Sequence, residues 1–306
     1  MLKTIPAIKR RRHIRTDFSG GVIKTMGYLL ISLFALLCII PFYMMVVASF
    51  STERQLLING YRLYVQQPTF FAYQLVFQNP DKIVGSYVLT ILLTVTGTAF
   101  GLLGTAMAGY ALQRPDFDLR DRISLYMYFT TLFSGGIVAY YLLMTQFLKL
   151  KNNYLALLLP GLFSPFNVFM MRNFMKSIPH SVTESALMDG AGDFKILIRI
   201  ILPMSTPALA TLGLFIALGY WNEWYNALLF LPNAPYRPLQ FFLYNIITKQ
   251  DYIKNSAAAS HIRTADVPLE TMKMACAMIA TGPVLLFYPF VQRYFIKGIT
   301  IGAVKG

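Results

Sequence analysis

The chain has 306 residues, 56% of them hydrophobic and only 13% charged, with a net charge of +14 and a mean hydropathy of +0.53. A soluble domain carries about twice that share of charge. The composition excludes a sizeable soluble domain and places the chain among the all-α polytopic membrane proteins.

Residues 1–24 read as a basic tail, with the cluster Lys9-Arg10-Arg11-Arg12-His13-Ile14-Arg15 serving as a topology anchor. Contact with lipid headgroups is the second reading of that cluster, and nucleic acid is set aside. Charge-free runs then follow at 25–52, 83–113, 123–148, 152–171, 200–222 and 274–292. About 20 apolar residues suffice to cross a hydrocarbon layer of about 30 Å. The pattern predicts six transmembrane helices, over about 27–50, 84–112, 123–148, 153–172, 205–231 and 273–292, in one membrane domain spanning 25–297. The first run is longer than the apolar segment of a signal peptide, and Pro41 should kink that helix without ending it.

With a cytoplasmic N-terminus, 17 of the 27 Lys and Arg residues fall on the inner side. That bias orients helices during insertion and puts both termini in the cytoplasm. The second run carries Gly97, Gly101, Thr105 and Gly109 at four-residue steps, a stripe that reads as a packing seam. The third contains Ser134-Gly135-Gly136, and the fourth contains Pro160, Gly161 and Pro165. Those two breaks either line a transport path or kink the helices for fit. The segments 51–82 and 232–272 are expected outside, and 298–306 forms a short cytoplasmic tail. Cys38 and Cys276 fall in different spans, and His13, His180 and His261 are scattered, so neither a disulfide framework nor a metal site is legible.

Between the fourth and fifth runs lies the polar insert SVTESALMDGAGDFKILIRIILP, residues 181–203. Ser181 followed by Glu184 has the spacing of a capping box, which predicts a short helix from about Val182. Asp189-Gly190-Ala191-Gly192 should stop it, and Asp193 should cap a second helix running to Pro203. A face of Thr183, Leu187 and Met188 is expected to be exposed, as on a peg awaiting a socket. A surface loop whose glutamate merely caps fits the same residues.

The insert resembles the loop that defines the permease subunits of binding-protein-dependent ABC importers. Their pattern is Glu-Ala-Ala, three residues, Gly, nine residues, Ile, one residue, Leu-Pro. Here Glu184-Ser185-Ala186, Gly190, Ile200 and Leu202-Pro203 match it, with Ser185 the one departure. The similarity extends to WNEWYNALLFL (221–231) and to the end QRYFIKGITIGAVKG (292–306), both like the carbohydrate-uptake branch, the maltose-type and lipo-oligosaccharide-type second permeases. Gly282-Pro283 is a departure, since a bulkier residue is expected before that proline.

The resemblance implies a type I importer transmembrane domain whose insert, through Glu184, Ser185, Ala186, Leu187, Asp189, Gly190 and Ala191, couples to an ATPase. It also implies a second permease, two cytoplasmic ATPase subunits that hold ATP and Mg, and an extracytoplasmic solute-binding protein. No cofactor is expected on this chain. The sequence contains no phosphate-binding loop of the G-x-x-x-x-G-K-[ST] type, so the chain is read as a transport subunit and not as an enzyme. Asn222, Trp224 and Asn226, with Ser134 and Gly135, are the candidate solute-path residues. An interfacial aromatic belt is the other reading of the first group, and the one the residues alone favour. The resemblance implies a sugar, and more narrowly an oligosaccharide; a non-sugar solute, or a structural subunit that transports nothing, is the alternative.

Overall fold

The computed structural model describes residues 18–259 and 268–303. The tail 1–17 with its basic cluster, the stretch 260–267 and the final 304–306 lie outside the described residues. Every regular element among them is helical.

The first charge-free run becomes α1, Phe18–Ser49, which continues unbroken through Pro41. Two short helices follow in the next connection, α2 (Glu53–Asn59) and α3 (Phe71–Val76). Helix α4, Pro80–Gln113, is 34 residues long, about 50 Å at 1.5 Å per residue, so it extends past any bilayer core. The third run is not one straight crossing. It forms α5 (Arg120–Leu132) and a second arm, α6 (Gly136–Leu142) with a π-helical end Leu143–Phe147, bent from α5 by 115°. The fourth run bends by 40° between α7 with its 3₁₀ extension (Leu155–Gly161) and α8 (Pro165–Lys176).

The insert supplies α9 (His180–Met188), then a rod from Asp193 to Met204 made of α10 (Asp193–Ile196), a π segment (Leu197–Ile201) and α11 (Leu202–Met204). At Ser205 the chain turns by 85° into α12 (Thr206–Trp221) and α13 (Tyr225–Phe230). The segment 232–272, read from sequence as a connection, contains α14 (Leu239–Ala259). Helix α15 (Leu269–Ala303) is 35 residues long and absorbs most of the expected tail. Three single helices and three bent pairs therefore account for up to six spans.

The glycine stripe explains how these helices meet. A Cβ on Gly97 would lie 2.2 Å from the Tyr220 ring, one on Gly101 would lie 3.3 Å from the Leu162 carbonyl, and one on Gly109 would lie 2.8 Å from Met171. Hence α4 lies directly against α8 and α12 along one seam. Tyr220 is gripped from the other side by Gly161, and its hydroxyl donates to the Leu158 carbonyl at 2.6 Å.

The Gly282-Pro283 pair also has a local account. Pro283 has no N–H, which leaves the carbonyl of Ile279 without its partner four residues on. The Tyr87 hydroxyl donates to that carbonyl at 2.9 Å, and the Trp221 indole donates to the adjacent Ala280 carbonyl at 3.1 Å. Two side chains from α4 and α12 thus mend the break in α15.

Candidate coupling loop and solute-facing site

The insert begins where Pro179 ends the preceding turn. Pro179 is the N-cap of α9, so helix starts at His180 and no side chain caps it. The expected capping box does not form, because the helix opens two residues earlier than Ser181 as cap requires. Glu184 instead accepts from or pairs with His180 Nδ1 at 2.9 Å, one helical turn back. The Ser181 carbonyl takes the Ser185 hydroxyl at 2.8 Å.

The stop is as the glycine chemistry demands. Gly190 has φ +75°, the Ala191 N–H donates to the Ala186 carbonyl at 3.0 Å, and the Gly190 N–H donates to the Leu187 carbonyl at 3.0 Å. That pair of bonds is a Schellman closure with the left-handed residue at its required place. Its accompanying apolar contact is Ala186, which packs with Ala191 in a cluster holding Tyr110, Met171, Met175, Ile196, Leu197 and Ile201. The peg is therefore anchored on α4 and α8 by its inner face.

Its outer face is open. Glu184, Ser185, Leu187, Met188, Asp189 and Gly190 are exposed, Met188 to 83%, and Phe194 on the following rod is also exposed. Thr183 is a correction to the expected face: it points inward and is buried. Asp193 does not cap its helix either, since Gly192 holds the cap position. The Asp193 carboxylate pairs instead with Arg114, the residue that ends α4. Arg114 also forks onto Asp116, with its Nε donating to Oδ1 at 2.8 Å. These bonds hold the Asp116 carboxyl below the usual carboxylate range, and they raise the Arg114 guanidinium further. Nothing local in the sequence signals a pair 79 residues apart.

The other candidate residues lie at the break that follows α12 and at the break within the third run. The break between α12 and α13 is held by Glu223, whose Oε1 accepts the Asn226 N–H and whose Oε2 accepts Asn226 Nδ2, both at 2.8 Å. The Tyr140 hydroxyl donates to Asn226 Oδ1 at 3.0 Å. Asn226 thus spends its amide on the break itself. Asn222 donates to the Leu218 carbonyl and accepts from Gln240 Nε2 at 3.3 Å.

Trp224 stacks obliquely on Tyr244 with centroids 5.1 Å apart and meets Tyr225 edge-on at 5.8 Å. All three rings keep roughly two-fifths of their surface exposed. Tyr244 and Gln240 belong to α14, and the reading by charge-free runs did not single them out. Ser134 accepts the Gly136 N–H at 3.2 Å, and Gly136, not Gly135, carries the positive φ of +78° that turns the third run. A Cβ on Gly135 would meet Ala139 of α6 at 3.5 Å. Among the described residues no group of His, Cys, Asp and Glu is placed to hold a metal.

The described residues thus form a multi-span helical bundle that carries a short helix closed at Gly190 and exposed on its outer face. Residues 15–301 match the family model described as the binding-protein-dependent transport system inner membrane component, and the chain belongs to that family of transport permeases. It is 37% identical, over 92% of its length and 96% of the other's, to the polygalacturonan/rhamnogalacturonan transport system permease protein YtcP of Bacillus subtilis (strain 168). It is 34% identical to Protein LplC of the same organism, over 94% and 96% of the two chains. A crystal structure of a bacterial ABC transporter involved in the import of the acidic polysaccharide alginate contains a chain that superposes with TM-score 0.77 at 29% identity, covering 91% of this chain and 98% of that one.

Proposed function

We propose that this chain is the permease subunit through which an oligosaccharide enters the cell, driven by ATP hydrolysis on separate ATPase subunits that hold ATP and Mg. In this reading it pairs with a second permease, receives solute from an extracytoplasmic binding protein, and keeps both termini in the cytoplasm. The observation that carries the proposal is the Schellman-closed α9, anchored by Ala186 within and presenting Glu184, Leu187, Met188 and Gly190 without. A helix of two turns is not stable alone in water; packed on α4 and α8 it becomes a rigid knuckle that an ATPase can push. The sugar assignment is supported by the names of two relatives, both of polysaccharide systems. The aromatic row at Trp224 supports it chemically, since ring faces flanked by amides suit pyranose faces and hydroxyls.

The test is co-purification of the full chain with its partner permease and ATPases, followed by uptake in proteoliposomes loaded with ATP. Oligosaccharide uptake that requires the binding protein and ATP is expected. A chain that engages no ATPase, or a complex that moves solute equally well without residues 181–192, refutes the proposal.

A further inference from the structure

The peg is joined to the rod that leads into α12 only through Asp189-Gly190-Ala191-Gly192, a linkage with two glycines. Some contact must fix the rod to the rest of the bundle for a push on the peg to travel. The apolar cluster under Ala186 does so for the inner faces, but hydrophobic attraction is non-directional and sets no angle between the rod and α4.

Arg114 is the directional contact. It is the cap residue of α4, the helix whose glycine seam lies against both α8 and α12. Its side chain is mostly covered, at 18% exposure, with the guanidinium 5.9 Å from the Tyr110 ring centroid. The fork takes both oxygens of Asp116 while a further nitrogen takes Asp193 at the first position of the rod. A planar guanidinium satisfies two carboxylates at fixed angles, which an ammonium does not. We infer that Arg114, bridging Asp116 and Asp193, is the positioning residue that locks the coupling loop to the end of the second span, so that movement of the loop is delivered to α4. This rests on the coupling role proposed above for residues 181–192.

The experiment uses the full chain in its purified complex, with Cys38 and Cys276 replaced and spin labels at exposed positions 118 and 195. Arg114→Lys and Asp193→Asn should broaden the distance distribution between the labels. In the unlabelled complex both variants should retain the ATPase subunits, keep hydrolysing ATP, and lower solute moved per ATP by about three- to tenfold. Asp193→Glu, which restores a carboxylate, should recover most of the loss. An unchanged distance distribution in both variants overturns the inference whatever the ATPases do, as does unchanged uptake per ATP. Failure of the unaltered chain to bind ATPases counts against the coupling role itself and is read in a separate measurement. Loss of folded protein in Arg114→Lys leaves Asp193→Asn against Asp193→Glu as the deciding pair.

Discussion

Gly190 separates two reasons for a glycine at the end of a docking helix. Its φ of +75° is a conformation that costs an ordinary L-residue about 1–2 kcal/mol. A Cβ built there meets nothing within 4 Å, so within this chain the cost is conformational and not steric. Losing about 1–2 kcal/mol from the Schellman closure shifts the closed-to-open ratio of the α9 end by about 5- to 30-fold. Asparagine tolerates the left-handed region better than alanine and far better than valine.

If the closure is what matters, function should fall in the order Gly, Asn, Ala, Val. If a partner surface simply needs a bare backbone, alanine should outperform the larger asparagine. Uptake and ATPase retention of the three variants, with hydrogen exchange of the 185–191 amides, decide between them. Alanine indistinguishable from wild type in both exchange and uptake would refute the reasoning.

Four further outcomes follow from the packing and the charges. Gly97→Ala drives a methyl into the pinned Tyr220 ring and should cost about 1–3 kcal/mol, read as a lower unfolding temperature in detergent. Glu53 caps the start of α15 by accepting the Glu270 and Thr271 N–H groups, both at 3.0 Å. Glu53→Ala should therefore cost about 0.5–2 kcal/mol and raise exchange at residues 269–272.

Trp224→Ala and Tyr244→Ala should each lower uptake while ATPase binding stays intact; unchanged uptake kinetics would return the rings to an interfacial belt. Because Arg114 depresses the Asp116 carboxyl, the clamp should hold above the ordinary carboxylate range and open only as pH falls through the lowered value. The nearby charged groups are Arg114, Asp193 and His180. A label-distance titration that shows opening well above that range would contradict the assignment.

What could be read from sequence depended on the range of the interaction. Charge-free runs report burial in lipid along contiguous residues, so α1, α4 and α15 were legible, and the small-residue period of α4 foretold its seam. The stop at Gly190 was legible because a left-handed residue is a local demand. The capping box was not, since Ser181 and Glu184 have the right spacing but Pro179 opens the helix earlier and His180 takes the glutamate. Helix α14 went unread because counting uncharged residues detects lipid-buried spans and is blind to a helix with a polar face. The Arg114–Asp193 pair and the Glu53 cap join residues 79 and 217 or more positions apart, and no local pattern encodes them.

The same division bears on mechanism. Elements encoded locally, namely the peg, its glycine stop and the seam, are rigid units. The contacts that connect them are long-range and polar: Arg114 to Asp193, Tyr87 to the carbonyl freed by Pro283, Glu53 to the head of α15. Apolar seams set which helices travel together, because α4, α8 and α12 meet through glycines too closely to shear without clashing. Polar bridges set where one such body grips the next. A transporter that alternates between two packings needs bridges that can be broken one at a time, and Arg114 supplies one with a side chain that belongs to none of the apolar clusters. A single substitution at Arg114 should therefore alter the balance between conformations more than it alters overall stability, and substitutions along the glycine seam should do the reverse.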